Sequence, residues 1–266
     1  MTSLADAYDS SQTGDLSSQI AQARSLIAVA ERVVVLSGAG ISTDSGIPDF
    51  RGPQGVWTKD PEAEKLSTIS YYLSDPEVRK RSWKRYTEGR IWADKQPNDG
   101  HRAIVEIEQQ GKLHTLITQN IDGLHEQAGT SPELLVEIHG TTRRVRCLSC
   151  GDENPMEVAL ERVRAGEEDP PCLICGGILK SATISFGQSL VPQDLMRADA
   201  AAQACDLLLA VGTSLQVYPV ADCVPIAHRN GADVIIINAE PTMMDDLATL
   251  VIHANTSEVL PQIVSS

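Results

Sequence analysis

The sequence predicts an α/β chain: a parallel sheet covered on both faces by helices, with a smaller second domain inserted into it. Short apolar runs at Val33–Leu36, His114–Thr118, Leu134–Ile138, Leu207–Val211 and Val234–Asn238 have the length of strands. Most are continuous rather than alternating, as strands buried on both faces require, and helical patterns lie between several of them. Two stretches break this alternation and predict the insertion. Pro48 to about Pro97 carries all three tryptophans, Trp57, Trp83 and Trp92, and Arg143 to about Lys180 carries four paired cysteines.

Met1 to Asp15 is rich in Ser, Asp, Thr and Gln and lacks a basic, then apolar, leader, so it reads as a frayed tail. From Leu16 to Arg32 the apolar positions Ile20, Ala23, Ile27 and Ala30 recur at helical spacing. The β-branched run Val33–Leu36 then forms a buried strand that ends in the glycine turn Ser37-Gly38-Ala39-Gly40. The first insertion holds a basic helical segment with Arg79, Lys80, Arg81, Lys84, Arg85 and Arg90. The expected partition is a tail at 1–15, a large domain from 16–47, 98–142 and 181–266, and a small domain from 48–97 and 143–180.

Composition narrows the function classes. The 266 residues are 42% hydrophobic and 22% charged, which excludes disordered and fibrous classes over most of the length. No apolar run approaches the roughly 20 residues of a membrane helix. The net charge of −14 argues against binding a phosphate backbone and suits a basic or neutral partner. It is also uneven, basic over Arg79–Arg102 and acidic over Asp152–Asp169, so the small domain is expected to show two faces of opposite sign that could sort protein substrates.

Cys147-x2-Cys150-x21-Cys172-x2-Cys175 has the spacing of two knuckles that bring four thiolates to one tetrahedral Zn²⁺. Sulfur fills every position, so the metal is expected to be structural, and free thiols point to a reducing compartment. Asp152, Glu153, Glu157, Glu161, Glu167, Glu168 and Asp169 between the pairs would repel nucleic acid from a zinc ribbon.

The remaining signals sit at strand ends, where open α/β sheets bind ligands. Gly38-Ala39-Gly40 follows the first strand and could admit a pyrophosphate to a helix start, but Thr43 stands where a hydride-transfer fingerprint needs its third small residue. Gly212-Thr213-Ser214 offers backbone donors and hydroxyls, or is a plain turn. Asn238-Ala239-Glu240 could bond ribose hydroxyls. Gln119-Asn120-Ile121-Asp122 could orient a sugar or a carboxamide, or cap the helix that starts near Gly123. Among six histidines, His125 and His139 are the chemical candidates. His139, before Gly140 at the junction with the zinc module, is either a general base or a satisfied core residue.

Gly38-Ala-Gly-Ile-Ser-Thr-Asp-Ser-Gly-Ile-Pro-Asp-Phe-Arg51, Thr118-Gln-Asn-Ile-Asp122, Ile138-His-Gly140, the four cysteines, Ser185-Phe-Gly187, Gly212-Thr-Ser-Leu-x-Val-x-Pro219 and Ile237-Asn238 occur in one order. That order resembles the sirtuins, the NAD-dependent protein lysine deacylases, from about Leu26 to Pro261. The resemblance implies a Rossmann-like parallel sheet with a smaller zinc-binding and helical domain inserted. NAD would enter the cleft from one side and an acyl-lysine protein or peptide from the other, with NAD consumed as a co-substrate.

Residue by residue, the resemblance implies that Gly38, Ala39 and Gly40 hold the pyrophosphate, with Asp49 in the same motif. Phe50 would shield the nicotinamide ribose and Arg51 lie near the phosphates. Ile47 and Asp122 would bind the carboxamide, and Gln119, Asn120 and Ile121 line the nicotinamide ribose site. Gly212, Thr213 and Ser214 would contact phosphate and adenosine, Asn238 and Glu240 the adenine ribose, and Thr256 the adenine side. His139 would be the general base, with Asn120 close to the chemistry, and the products would be deacylated lysine, nicotinamide and O-acetyl-ADP-ribose. The peptide would run as a strand between Ser185-Phe186-Gly187 and the segment holding Leu215, Val217 and Tyr218.

Departures from the family pattern bear on specificity. Leu179-Lys-Ser-Ala-Thr-Ile-Ser-Phe-Gly-Gln188 stands where many sirtuins have Arg-Pro before two valines and a Glu after Phe-Gly. Trp83 and Tyr86 stand where one subfamily carries a carboxylate-reading Tyr-x-x-Arg, so an uncharged acyl group is expected, with Arg85 close by. Mono-ADP-ribosyl transfer would use the same NAD site. A zinc-containing NAD oxidoreductase and a zinc-ribbon binding module are readings from other classes. Membrane and direct nucleic-acid partners are not expected, and the short N-terminus suggests a bacterial, cytoplasmic protein.

Overall fold

A computed structural model describes residues 15–49, 55, 59, 65–88 and 94–265. The first helix, α1 (Leu16–Val29), buries Ala23 and Ile27 and ends where Ala30 turns extended while its N–H still bonds Leu26 O. Strand β1 (Val33–Ser37) is buried at all five positions. It leads through a short 3₁₀ segment, Ala39–Ser45, which closes on Gly46 in the left-handed region.

Strands β2 (Leu113–Thr118) and β3 (Leu135–Glu137) flank β1 on one side. Between them and β1 come helices α2 (Ile69–Ser74), α3 (Pro76–Thr87) and α4 (Asp99–Gln109), and α5 (Leu124–Ala128) links β2 to β3. A second sheet follows, made of β4 (Gly140–Cys147), β5 (Glu153–Pro155) and β6 (Leu179–Thr183), with α6 (Met156–Arg164) between β5 and β6. The chain then returns to the large sheet through α7 (Pro192–Ala204), β7 (Leu207–Val211), α8 (Cys223–Arg229), β8 (Asp233–Ile237), β9 (Leu250–Ile252) and α9 (Thr256–Val264).

The six strands of the large sheet are parallel in the order β3-β2-β1-β7-β8-β9. The chain winds outward one way from β1 and the other way from β7, so the crevice at the switch point lies between the carboxyl ends of these two strands. Side-chain alternation feeds two cores. Val33 and Val35 pack with α1, α4 and α9, while Val34 and Leu36 pack with α7 and α8. The five predicted strands are all present, with ends differing by a residue. Strand β9, three residues long, lies outside the predicted runs.

The small sheet is antiparallel, ordered β5-β4-β6. Its register runs from Gly140↔Thr183 to Cys147↔Leu179, so it begins and ends a few residues outside the expected 143–180 stretch. Trp83 from α3 is buried against Val145, Met156, Leu160 and Leu179, so both insertions share one core. Tyr72 donates its hydroxyl to Leu179 O at 2.8 Å across the same seam.

Arg79 donates to Asp169 at 2.8 Å and Lys80 lies 3.2 Å from Glu168, so the basic helix and the acidic loop meet at these two pairs. Helix α3 needs α6 for its apolar side, and that packing brings the charges together. Among the described residues no helix is long and apolar enough to cross a membrane. Phe50, Arg51, Trp57, Arg90 and Trp92 lie outside the described residues.

Candidate active site

Backbone packing at the switch point builds the floor of the site. Gly38 N donates to Val211 O and Gly40 N to Gly212 O, at 3.0 and 2.8 Å. A Cβ on Gly38 would stand 2.7 Å from Gly212 O, and one on Gly40 would stand 2.7 Å from Gly212 Cα. These glycines are therefore spent on close contact between two turns, which leaves the turn backbone bare toward the crevice. A cleft of about 1490 Å³ opens above it and runs on between the two sheets. That volume exceeds an ordinary small-molecule site and suits a dinucleotide with a second substrate.

Hydrogen bonds then fix which atoms hold protons. Ser42 Oγ donates its one hydrogen to Asp122 Oδ2 at 2.8 Å and accepts from Asn120 Nδ2 at 3.1 Å. Its 3.4 Å contact with His101 Nε2 therefore requires a proton on that nitrogen, and His101 Nδ1 accepts from Asn98 N at 3.3 Å while Asn98 Oδ1 caps α4 by accepting from Gly100 N at 2.9 Å. Asp122 Oδ1 accepts from Leu124 N at 2.9 Å. Burial pushes the Asp122 carboxyl up, opposed by these hydrogen bonds and by the Arg143 charge. Gln119 Nε2 donates to Thr213 Oγ1 at 2.9 Å, which also accepts from Leu215 N, so the Thr213 proton is uncommitted.

His139 follows β3 and precedes β4, at the seam between the sheets. Its Nδ1 lies 3.0 Å from Gln119 O, and a carbonyl can only accept, so Nδ1 carries the proton and Nε2 is the bare acceptor of a ring that lines the cleft. Burial lowers its pKa below 6.5, partly offset by that carbonyl. The ring is thus neutral at pH 7 and able to take a proton at Nε2.

The four cysteines fit a metal on their own geometry. Their Sγ atoms lie within 4.8 Å of one another. Cys147–Cys175 and Cys150–Cys172 are 3.5 and 3.8 Å apart, close to the roughly 3.8 Å edge of a tetrahedron with Zn–S near 2.3 Å. Backbone N–H groups of Ser149, Cys150 and Gly177 point at Cys147 and Cys175 Sγ, as thiolates require. No fifth position is offered, and the cysteines do not line the cleft.

Of the residues singled out in the sequence, Gly38, Ala39, Gly40, Asp49, Gln119, Asn120, Ile121, His139, Gly212, Thr213, Ser214, Asn238, Glu240 and Thr256 line one cleft. Ser185, Phe186, Gly187, Val217 and Tyr218 line its other end. Ile47 and Asp122 line a small recess beside it with Ala39, Ser42, Asn120 and Ile121. Leu215 does not line the cleft: its side chain is 2% exposed and packs in the core with Val220 and Val224. Asn238 turns its amide to Glu240 O at 2.7 Å. Sequence reading missed Ser42, Asn255 and Lys180. Ser42 lies inside the quoted glycine motif, but only the fold brings it to Asp122.

The NAD requirement can be tested on these residues. A glycine-bare platform at the switch point, an uncommitted Thr213 hydroxyl and the Asn238–Glu240 turn at the next strand end are the donor set and shape that a dinucleotide needs. The residues fit it.

Comparisons with known proteins agree. The Sir2 family model matches residues 38–219. The chain is 50% identical over 233 residues to "NAD-dependent protein deacetylase 2" of Streptomyces coelicolor, covering 87% of this chain and 96% of that one. It is 39% identical over 255 residues to "NAD-dependent protein deacetylase 1" of Bradyrhizobium diazoefficiens, covering 95% and 98%. Among solved structures, one described as "Structural Basis for the Mechanism and Regulation of Sir2 Enzymes" superposes with TM-score 0.83 at 38% identity, covering 93% of this chain and 96% of the other. Another, "Sir2-p53 peptide-NAD+", superposes with TM-score 0.78 at 30% identity, covering 90% and 94%. The cleft, the four-thiol site and the matched span lead to one conclusion: the chain belongs to the Sir2 family.

Proposed function

We propose that the protein is an NAD-dependent lysine deacetylase, more broadly a deacylase, acting on acyl-lysine proteins or peptides and yielding deacylated lysine, nicotinamide and O-acetyl-ADP-ribose. The observation that carries the reading is His139, whose Nδ1 is committed to Gln119 O and whose Nε2 is left to accept a proton in a cleft open to two substrates. NAD supplies an electrophilic ribose carbon and is consumed. Ala39, Gly40, Thr213 and Ser214 would hold its phosphates, and Asn238 and Glu240 its adenine ribose. Phe50 and Arg51 complete the proposed set.

Asn120 and Gln119 would orient the nicotinamide ribose so that His139 Nε2 takes the proton from its hydroxyl, and Asp122 with Ile47 would receive the carboxamide. Holding the reactants in line is the main contribution such a site makes. Phe186 already pairs through both backbone groups, donating to Ser67 O and accepting from Ile69 N, so Gly187 and the Val217–Tyr218 edge remain for peptide strand pairing. The metal, remote from the cleft lining, would hold the small domain. The free thiols support a reducing compartment, the cytoplasm.

Mass spectrometry of an acetyl-lysine peptide incubated with the protein tests the reading. The acetyl group should leave only when NAD is present. Deacetylation without NAD, or nicotinamide release with an unchanged peptide, overturns it. Mono-ADP-ribosyl transfer is not favoured, since the relatives above are named deacetylases.

A further inference from the structure

His125 takes no part in the chemistry above, yet its hydrogen bonds end at Asn120. It lies on the short helix α5, is 2% exposed, and packs against the ring of His101 with centroids 4.8 Å apart. Asn120 N donates to Thr118 Oγ1 at 3.1 Å. Ser37 Oγ donates its single hydrogen to the same oxygen at 2.9 Å. Ser37 can therefore only accept at its 2.9 Å contact with His125 Nε2, so that nitrogen carries the proton.

The tautomer follows, and it has a cost. His125 Nδ1 must be a bare acceptor, and among the described residues it is one of the few buried polar side-chain atoms without a partner. A hydrocarbon side chain here would fill the same space with no orphan atom, so packing does not explain the histidine. What the ring supplies, and hydrocarbon cannot, is the Nε2–H. Ser37 ends β1 and Thr118 ends β2, paired in register, and Gln119 N donates to Ser37 O at 3.0 Å. One imidazole donor thus ties the glycine turn after Ser37 to the Gln119-Asn120 turn from beneath.

We propose that His125 is a positioning residue: its Nε2–H, relayed through Ser37 and Thr118, sets where Asn120 is presented to the NAD side of the cleft. This rests on the reading that Asn120 faces NAD, and the test separates the two.

His125→Leu removes donor and orphan together, His125→Gln keeps an amide donor, and Ser37→Ala cuts the relay one atom on. The measurements are thermal unfolding, calorimetric titration with ADP-ribose, kcat/KM for NAD at saturating acetyl-lysine peptide, and the ¹⁵N resonances of the imidazole. His125→Leu should melt at or above wild type yet lose about tenfold or more in kcat/KM for NAD, with weaker ADP-ribose binding, the pattern of misplaced but folded groups. Ser37→Ala should share the kinetic loss, His125→Gln should restore most of it, and the wild-type spectrum should show a neutral, Nε2-protonated ring. Wild-type kcat/KM in both His125→Leu and Ser37→Ala, or an Nδ1-protonated ring, overturns the proposal. If His125→Leu does not fold, Ser37→Ala and the tautomer decide. A wild-type protein with no NAD-dependent turnover would fail the functional reading, while ADP-ribose affinity and the tautomer would still judge His125.

Discussion

One backbone carbonyl, that of Gln119, fixes the His139 tautomer and burial keeps the ring neutral, which is what the proposed base requires. Because burial holds its pKa below the usual 6.5, the proton-accepting form persists into mildly acid solution. The acid limb of kcat/KM against pH should therefore lie below that value, with activity lost as pH falls through it. His139→Ala should lower kcat by about 10²–10⁴-fold while ADP-ribose still binds, since the ring bonds the Gln119 carbonyl and not the phosphate-side turns. Steady-state kinetics with calorimetry check both, and an unchanged kcat would remove the base from the mechanism. At this scale the sequence revealed what spacing encodes. The cysteines and glycines announce themselves by interval, whereas Ser42 and Ser37 are serines at turns whose partners, Asp122 and His125, lie some 80 residues away and meet them only in the fold.

Elements carry the next level of design. The turns after β1 and β7 touch backbone to backbone, so Gly40→Ala forces a methyl against Gly212 Cα, which has no flexible end to move. We expect that substitution to cost about 1–3 kcal/mol of stability and to weaken ADP-ribose binding, measured by thermal unfolding and calorimetry. A wild-type melting temperature would mean that the turns can part. The zinc module makes a second prediction. Cys172→Ser removes one of four thiolates that close on a tetrahedral edge, so zinc should be lost and the shared core around Trp83 should loosen, read by metal analysis and tryptophan fluorescence. Metal retained at one equivalent would reject the ligand set. The long buried strands were legible because their apolar runs are continuous. Strand β4 was not, because Arg143, Arg144 and Arg146 point outward along it and mask its period, pairing instead with Glu126, Glu137 and Glu153.

At the scale of the whole molecule, the parallel order β3-β2-β1-β7-β8-β9 places the crevice, and the joined insertions form its other wall. Net charge gives the sign of the molecule but not the pairing of Arg79 and Lys80 with Asp169 and Glu168, because helix packing decides which charges face each other. The same holds for the histidines. Composition counts six, but only the fold buries His101 of α4 and His125 of α5 ring against ring. Burial pushes His101 from 6.5 down to about 4, and burial with the neighbouring His101 drives His125 well below its ordinary value. In the unfolded chain these rings take up protons as pH falls below about 6.5, while in the folded chain they resist until far lower. Across that window the unfolded state binds more protons, so stability is present above it and is lost as pH falls, by up to about 3 kcal/mol from His101 alone. The buried carboxyls of Asp122 and Glu137, pushed upward, act in the opposite sense, but only where carboxylates titrate. The upper half of the window therefore belongs to the rings. Urea unfolding at neutral pH and near pH 5 should show a marked loss in the wild-type protein and a smaller one in His101→Asn/His125→Gln, where nothing is left to protonate at the pair. Equal losses in both would mean that the acid sensitivity arises elsewhere.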